Sequence, residues 1–257
     1  MKPNVVEHLV FEHKNWKYKA FLEILKKKRS RKKFYQDHVR GFYYDQVIKK
    51  SPLPKKSLDE LVDFSQPLRL ENFHSRNGNL SAYELMIIAT VVAHRAPMRI
   101  LEIGTFDGNT TLQMALNAPE EAVIHTIDLP ENAPKTAQPV LDSDLQYIHD
   151  KKKLTRKFTS SSVAGKIIQH MGDSTNFDFS KFTEEGPLDL IFIDGGHSYD
   201  CVKSDTENAL KILKSGGVIF WHDFTPIFDG VFRYLCELSK ELTLVNIEGT
   251  HLVTYGL

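Results

Sequence analysis

From residue 80 onward the chain alternates two kinds of hydrophobic pattern. Short, mainly apolar runs occupy residues 99–103, 122–127, 166–171, 188–193 and 217–221. Runs of this length predict strands covered on both faces. Between them, apolar residues recur at helical spacing, predicting helices over residues 85–93, 110–117, 202–214 and 231–240. The first is announced by a capping box, Ser81 with Glu84, and Pro97 separates it from the strand at 99–103. The helix at 202–214 is closed by Ser215 and Gly216. Strands alternating with helices imply right-handed crossovers and a largely parallel sheet, an α/β fold.

Two segments break that rhythm. At the end of the chain, strand-like runs at 242–248 and 250–255 are separated by Gly249 alone. No crossover fits between them, so they are expected to form an antiparallel hairpin. Residues 130–165 form a long insertion after the second strand, with Pro130, Pro134 and Pro139 and a basic triplet at 151–153. It leaves the carboxyl edge of the sheet, where a substrate would lie, and loops of this length often carry function.

The N-terminal stretch differs in texture. Trp16, Ala20, Phe21, Ile24 and Leu25 recur at helical spacing ahead of the basic run 26–33, and Pro52 and Pro54 interrupt the chain beyond it. The expected organisation is a basic, mainly helical extension or cap over residues 1–78 and a main domain over 79–257. The basic run invites RNA or an anionic membrane, but it lacks interleaved aromatics and is taken as a solvated helix end or loop. Across all 257 residues Lys plus Arg number 33 and Asp plus Glu 33, so no overall field draws nucleic acid, and nucleic acid is disfavoured as a partner. Cys201 and Cys236 cannot make a disulfide framework. No apolar run is long enough to cross a bilayer, and the first eight residues lack a signal-peptide core, so a cytoplasmic location is the default expectation.

The chemistry gathers at the strand ends. After the strand at 99–103 comes a tight turn with Gly104 and Gly108, then a helix start. Strand, glycine turn and helix N-terminus make a pocket for a nucleoside-bearing cofactor. No glycine follows Gly104 at the second position, so the turn is not the dinucleotide fingerprint and points away from NAD. Thr105, Asn109 and Thr110 complete the turn and the helix start, and Glu102 sits inside the strand, placed either to meet a cofactor ammonium or to order the turn. Asp128 ends the second strand and suits a ribose diol. Asp173 and Ser174 follow the third and could meet an adenine edge, although an Asp at a strand end also serves as a turn former or helix cap. Asp194 and His197 follow the fourth strand, and His222 and Asp223 the fifth. Adjacent strands lie about 4.8 Å apart, so Asp194, His222 and Asp223 can share one cation. Two carboxylates with water suit Mg²⁺, whereas a His222 ligand would tilt the site toward Mn²⁺, Fe²⁺ or Zn²⁺. His197, in a glycine turn, has the titration range of a general base, with Asp194 beside it as the second catalytic candidate.

These motifs resemble class I S-adenosyl-L-methionine-dependent methyltransferases. The Asp194-Gly-Gly-His197 segment and the later Gly216-Gly-Val with His222-Asp223 are similar to a bacterial subgroup near the macrolide-sugar O-methyltransferases and the cephalosporin-biosynthesis methyltransferase. The resemblance covers about residues 80–257; residues 1–75 resemble nothing recognised. It implies a Rossmann-like, seven-stranded, mostly parallel sheet with a reversed last strand, S-adenosylmethionine as donor, and a divalent cation, Mg²⁺ first, near Asp194 and Asp223. It implies O-methylation of a small-molecule hydroxyl, with His197 as base. One departure is His222, where related enzymes often carry a carboxylate. A nucleic-acid methyltransferase and a non-catalytic cofactor-binding protein are the rival expectations. A helical extension could also serve as the contact of a homo-oligomer.

Overall fold

In the computed structural model, which describes residues 46–63, 65–73, 78–130, 136–138, 140–150, 154–184 and 186–257, the apolar runs lie side by side in one eight-stranded sheet. The strands are β1 (Lys55–Lys56), β2 (Arg99–Ile103), β3 (Val123–Asp128), β4 (Ile167–Met171), β5 (Leu188–Ile193), β6 (Leu213–Trp221), β7 (Val245–Ile247) and β8 (Val253–Tyr255). Their order across the sheet is β1-β7-β8-β6-β5-β2-β3-β4. All neighbouring pairs are parallel except β6 with β8 and β7 with β8, so the terminal hairpin is antiparallel as expected. Strands β2 to β8 give the expected seven-stranded, mostly parallel, Rossmann-like sheet, and β1 adds an eighth at the edge.

Pro52–Leu257 forms one compact unit. Part of the stretch expected as an extension packs into it: β1 joins the sheet through Asn246 N donating to Pro54 O and Glu248 N to Lys56 O, both at 2.9 Å. Leu58 and Val62 bury in the same core. The basic run 26–33 and the amphipathic stretch before it lie outside the described residues.

The central strands divide their side chains between two cores. Ile100, Leu190, Phe192, Val218 and Phe220 face one side, while Leu101, Ile191, Ile193, Ile219 and Trp221 face the other. This period-two division makes both faces mainly apolar and explains why the runs in the sequence do not alternate. Helices α1 (Ala82–Arg95) and α2 (Asn109–Asn117) cover the first face, with Leu85, Ile88 and Leu112 inserted. After α3 (Asp142–Asp150), helices α4 (Tyr199–Ile212) and α5 (Asp229–Leu238) cover the second, with Val202, Ala209, Val231 and Leu235. Each such side chain contributes roughly 1.5–3 kcal/mol by leaving water.

Local chemistry sets the helix ends. Ser81 caps α1, with Glu84 N donating to Ser81 Oγ at 3.3 Å and the Glu84 carboxylate accepting from Ser81 N at 2.9 Å. Ser198 caps α4, its Oγ accepting from Cys201 N at 3.2 Å. That helix stops at Ile212, two residues earlier than its apolar spacing suggests, because Leu213 already pairs with Leu188 of β5. A register shift between Leu188 and Leu190 absorbs the extra residues, and Gly216 supplies the positive φ of 75°. The insertion after β3 is not a bare loop, since α3 lies within it.

Candidate active site

The sheet order reverses direction between β2 and β5, and the carboxyl ends of these strands open a crevice where ligands bind in such sheets. The ends are laced together: Gly104 N donates to Ile127 O at 2.9 Å, Asp194 N to Ile103 O at 2.8 Å, and His222 N to Ile193 O at 3.1 Å. Gly104 has φ of 99°, and a Cβ there would stand 2.0 Å from the Asp194 carbonyl oxygen. Two residues on, Phe106 holds φ of 48° without being glycine, and beyond β6 Asp223 holds 61°. Left-handed backbone at non-glycine residues is sparsely populated and clusters at functional sites.

A cavity of about 740 Å³ fills the crevice. Of the nine residues expected to hold the cofactor, Gly104, Thr105, Thr110, Asp128, Asp173 and Ser174 line it. Glu102, Gly108 and Asn109 stand behind its wall. Glu102 shares its side of β2 with Ile100, so it points to α2, where it accepts hydrogen bonds from the Thr111 and Thr126 hydroxyls, the latter at 2.7 Å. Its place is that of an organiser of the turn rather than a group in contact with a ligand. Burial pushes its carboxyl up to about 8. Asn109 accepts from Lys157 Nζ at 2.7 Å.

The insertion after β3 meets the polar groups of the crevice. Arg156 pairs with Asp128 at 3.2 Å, both side chains largely buried. The Ala137 amide donates to Asp173 Oδ2 at 2.6 Å, while Asp173 Oδ1 accepts from Thr175 N and Oγ1.

Asp194, His197, His222 and Asp223 all line the same cavity. One ligand atom from each of Asp194, His197 and Asp223 lies within 4.8 Å of the others. His197 sits between two carboxylates, with Nδ1 2.7 Å from Asp144 Oδ1 and Nε2 2.7 Å from Asp223 Oδ2. Its ring stacks on Phe228 at 4.0 Å between centroids. Burial disfavours the charged ring, but the bonds to Asp144 and Asp223 outweigh it and hold the pKa up at about 10. His222 points Nδ1 toward Asp194 at 3.1 Å and Asp223 at 3.4 Å, with Nε2 3.6 Å from Glu84. Burial opposes its charge too, yet Asp194 and Asp223 raise its pKa well above the ordinary value. Against its own burial, Asp223 is held far below the carboxylate range by the His222 charge and the His197 bond.

Four carboxylates, Glu84, Asp144, Asp194 and Asp223, thus surround two imidazoles, and the excess of negative charge fits a divalent cation. Two carboxylates with water would suit Mg²⁺, whereas an imidazole ligand would tilt the site toward Mn²⁺, Fe²⁺ or Zn²⁺. The triplet includes His197, while His222 presents an N–H to the same carboxylates.

Two residues of this centre escaped sequence reasoning. Asp144 lay in the insertion with no local motif to mark it. Glu84 was visible only as half of a capping box. Its Oε2 does accept from Ser81, but its Oε1 accepts from His251 N at 2.9 Å and faces His222. Burial pushes Glu84 up, and the His222 ring with the backbone amides of His251 and Ser81 brings it down to about 2.

Residues 101–224 match the family model described as a methyltransferase domain. The match runs from β2 to the residue after Asp223, the segment that carries Asp128, Asp173, Asp194, His197 and Asp223. The strand order, with one reversed strand among the described residues, is the order expected from the sequence. No curated protein sequence matches the chain. Among solved structures, the chain is similar to the O-methyltransferase TomG from Streptomyces achromogenes, involved in tomaymycin synthesis, in complex with SAM. Identity is 21%, over 68% of this chain and 79% of that one, with a TM-score of 0.48. It is similar to an O-methyltransferase from Bacillus cereus in complex with SAH, at 16% identity over 70% and 83% of the two chains, with a TM-score of 0.47. It is also similar to CalS11, a TDP-rhamnose 3′-O-methyltransferase in calicheamicin biosynthesis, at 13% identity over 68% and 81%, with a TM-score of 0.47. Among the described residues no helix is long and apolar enough to cross a membrane.

Proposed function

We propose that the chain transfers the methyl group of S-adenosylmethionine to a hydroxyl oxygen of a small molecule, assisted by a divalent cation. The carrying observation is that Asp194, His197 and Asp223 converge in the cavity that holds the glycine turn. A methyl donor alone does not need two carboxylates and an imidazole beside it.

On this account Asp128 takes the donor's ribose hydroxyls, and Asp173 with Ser174 takes the adenine edge. Arg156 and the Ala137 amide already bond to these carboxylates, but a carboxylate accepts about four hydrogen bonds. A cation held by Asp194 and Asp223 would supply Lewis acidity, lowering the pKa of the acceptor hydroxyl. His197 takes the proton at Nε2, the nitrogen turned toward Asp223 and the cavity. With both carboxylates on it the ring keeps its proton to about pH 10, so it becomes a base when Asp223 is engaged elsewhere. The displacement is in line, from sulfur to oxygen, and much of its rate comes from alignment of the two substrates.

The test is turnover of S-adenosylmethionine by the purified chain with hydroxyl acceptors, with and without Mg²⁺. Turnover that persists unchanged in an Asp194→Asn, Asp223→Asn double variant would sink the metal role.

A further inference from the structure

We infer that Asp144 is the residue that positions His197, so that the insertion after β3 completes the catalytic apparatus as well as covering it. This rests on the assignment of His197 as the group that takes the acceptor's proton.

Asp144 lies in the first turn of α3 and is only 8% exposed. A carboxylate so deeply buried is costly unless it is paired and hydrogen-bonded. Here both oxygens engage one residue: Oδ1 meets His197 Nδ1 at 2.7 Å, and Oδ2 accepts from His197 N at 3.2 Å. One side chain therefore holds both the backbone and the ring of the same histidine, 53 residues away. Phe228 closes one face of that ring.

The clamp has a chemical consequence. A carboxylate only accepts, so Nδ1 must carry the proton and donate it to Asp144. Nε2 faces the cavity, where it donates to Asp223 Oδ2 at 2.7 Å and becomes the accepting nitrogen once that carboxylate is engaged elsewhere. Without Asp144, the ring would be free to turn and to move its proton between nitrogens, and a carbon or an N–H would then face the acceptor. The chain beyond Asp144 is anchored to the glycine turn as well. Tyr147 packs edge-on against Phe106 of the glycine turn at 6.1 Å, and Lys157 N donates to Asp107 O at 2.9 Å. Together with the Ala137 and Arg156 contacts, the segment grips the donor side and the proton-accepting side of the cavity at once.

The test compares Asp144→Asn, Asp144→Glu and His197→Gln in the full chain, with two readouts. The first is the imidazole region of ¹⁵N–¹H spectra at one fixed pH, where the Nδ1 proton of His197, identified by its loss in His197→Gln, reports its bond to Asp144. The second is kcat and KM for S-adenosylmethionine, with S-adenosylhomocysteine calorimetry to show that each variant keeps its donor pocket. Asp144→Asn is expected to lose or strongly shift the Nδ1 signal and to lower kcat about a hundredfold, with KM for the donor within about threefold. Asp144→Glu should recover the signal and much of the turnover. Should Asp144→Asn not fold, Asp144→Ser takes its place with the same expectation. An unmoved Nδ1 signal, or kcat within about twofold of wild type, overturns the positioning role. If His197→Gln keeps full kcat, the assignment of His197 as base fails instead, and the spectra still decide whether Asp144 holds the ring.

Discussion

Gly104 and Asp194 meet so closely that a single methyl on Gly104 would overlap the Asp194 carbonyl, at 2.0 Å. This contact joins the end of β2 to the end of β5 at the point where the sheet reverses direction. It ties the glycine turn to the first carboxylate of the proposed cation centre. Gly104→Ala combines that overlap with a disfavoured φ, so it should destabilise the protein by about 3 kcal/mol or more. Denaturant unfolding checks this, and a loss below about 1 kcal/mol would show that the two strand ends can separate freely.

Glu84 and His222 make a second relationship with a pH signature. The carboxyl of Glu84 is depressed to about 2 from an ordinary 4.5. A depressed acid stabilises the fold above its unfolded pKa, and that stability is lost as pH falls from about 4.5 through about 2. Glu84→Gln should remove this part of the acid slope. At pH 7 it should also cost about 3 kcal/mol, because the buried His222 loses a charge partner. Thermal unfolding from pH 2.5 to 7 measures both effects, and parallel curves for the two proteins would contradict them.

Asp205 gives the opposite sign. It is fully buried in α4, and burial pushes its carboxyl up to about 7. The native state holds this proton more tightly than the unfolded chain, so stability falls as pH rises from about 4 through about 7. Asp205→Asn should be more stable than wild type at pH 8, by on the order of 2 kcal/mol, and no more stable at pH 4. An equal effect at the two pH values would show that packing rather than charge governs the position.

The strands were legible because both faces of the sheet are covered. β2, β5 and the last five residues of β6 read as mainly apolar runs, and a run such as Leu188–Ile193 has few other uses. The glycine turn, Asp128, Asp194 and Asp223 were legible for a related reason, since a polar residue that ends such a run sits at the sheet edge. β1 gave no such signal. It consists of two exposed lysines and exists through backbone bonds alone. α3 was obscured by its few apolar positions and by the prolines before it. The pairing of Asp144 with His197 spans 53 residues and that of Glu84 with His251 spans 167, and no local pattern encodes either contact. The inward direction of Glu102 followed from its register with Ile100, which the sequence carried but which the two open roles for a strand-end carboxylate left undecided.

The proposed cation centre makes its own prediction. Asp194→Asn and Asp223→Asn should each lower turnover about a hundredfold or more while leaving S-adenosylhomocysteine affinity within about threefold. Added Mg²⁺ should stimulate the wild type and neither variant. Equal stimulation of all three proteins would move the cation elsewhere.

The central claim is that the crevice between β2 and β5 binds the nucleoside of S-adenosylmethionine. Calorimetric titration of S-adenosylhomocysteine into the purified chain tests it most directly, with NAD titrated alongside. The account predicts one S-adenosylhomocysteine per chain, at least about tenfold weaker binding in Asp128→Ala and in Asp173→Ala, and no binding of NAD. Binding of NAD in place of S-adenosylhomocysteine, or wild-type affinity in both variants, would contradict it.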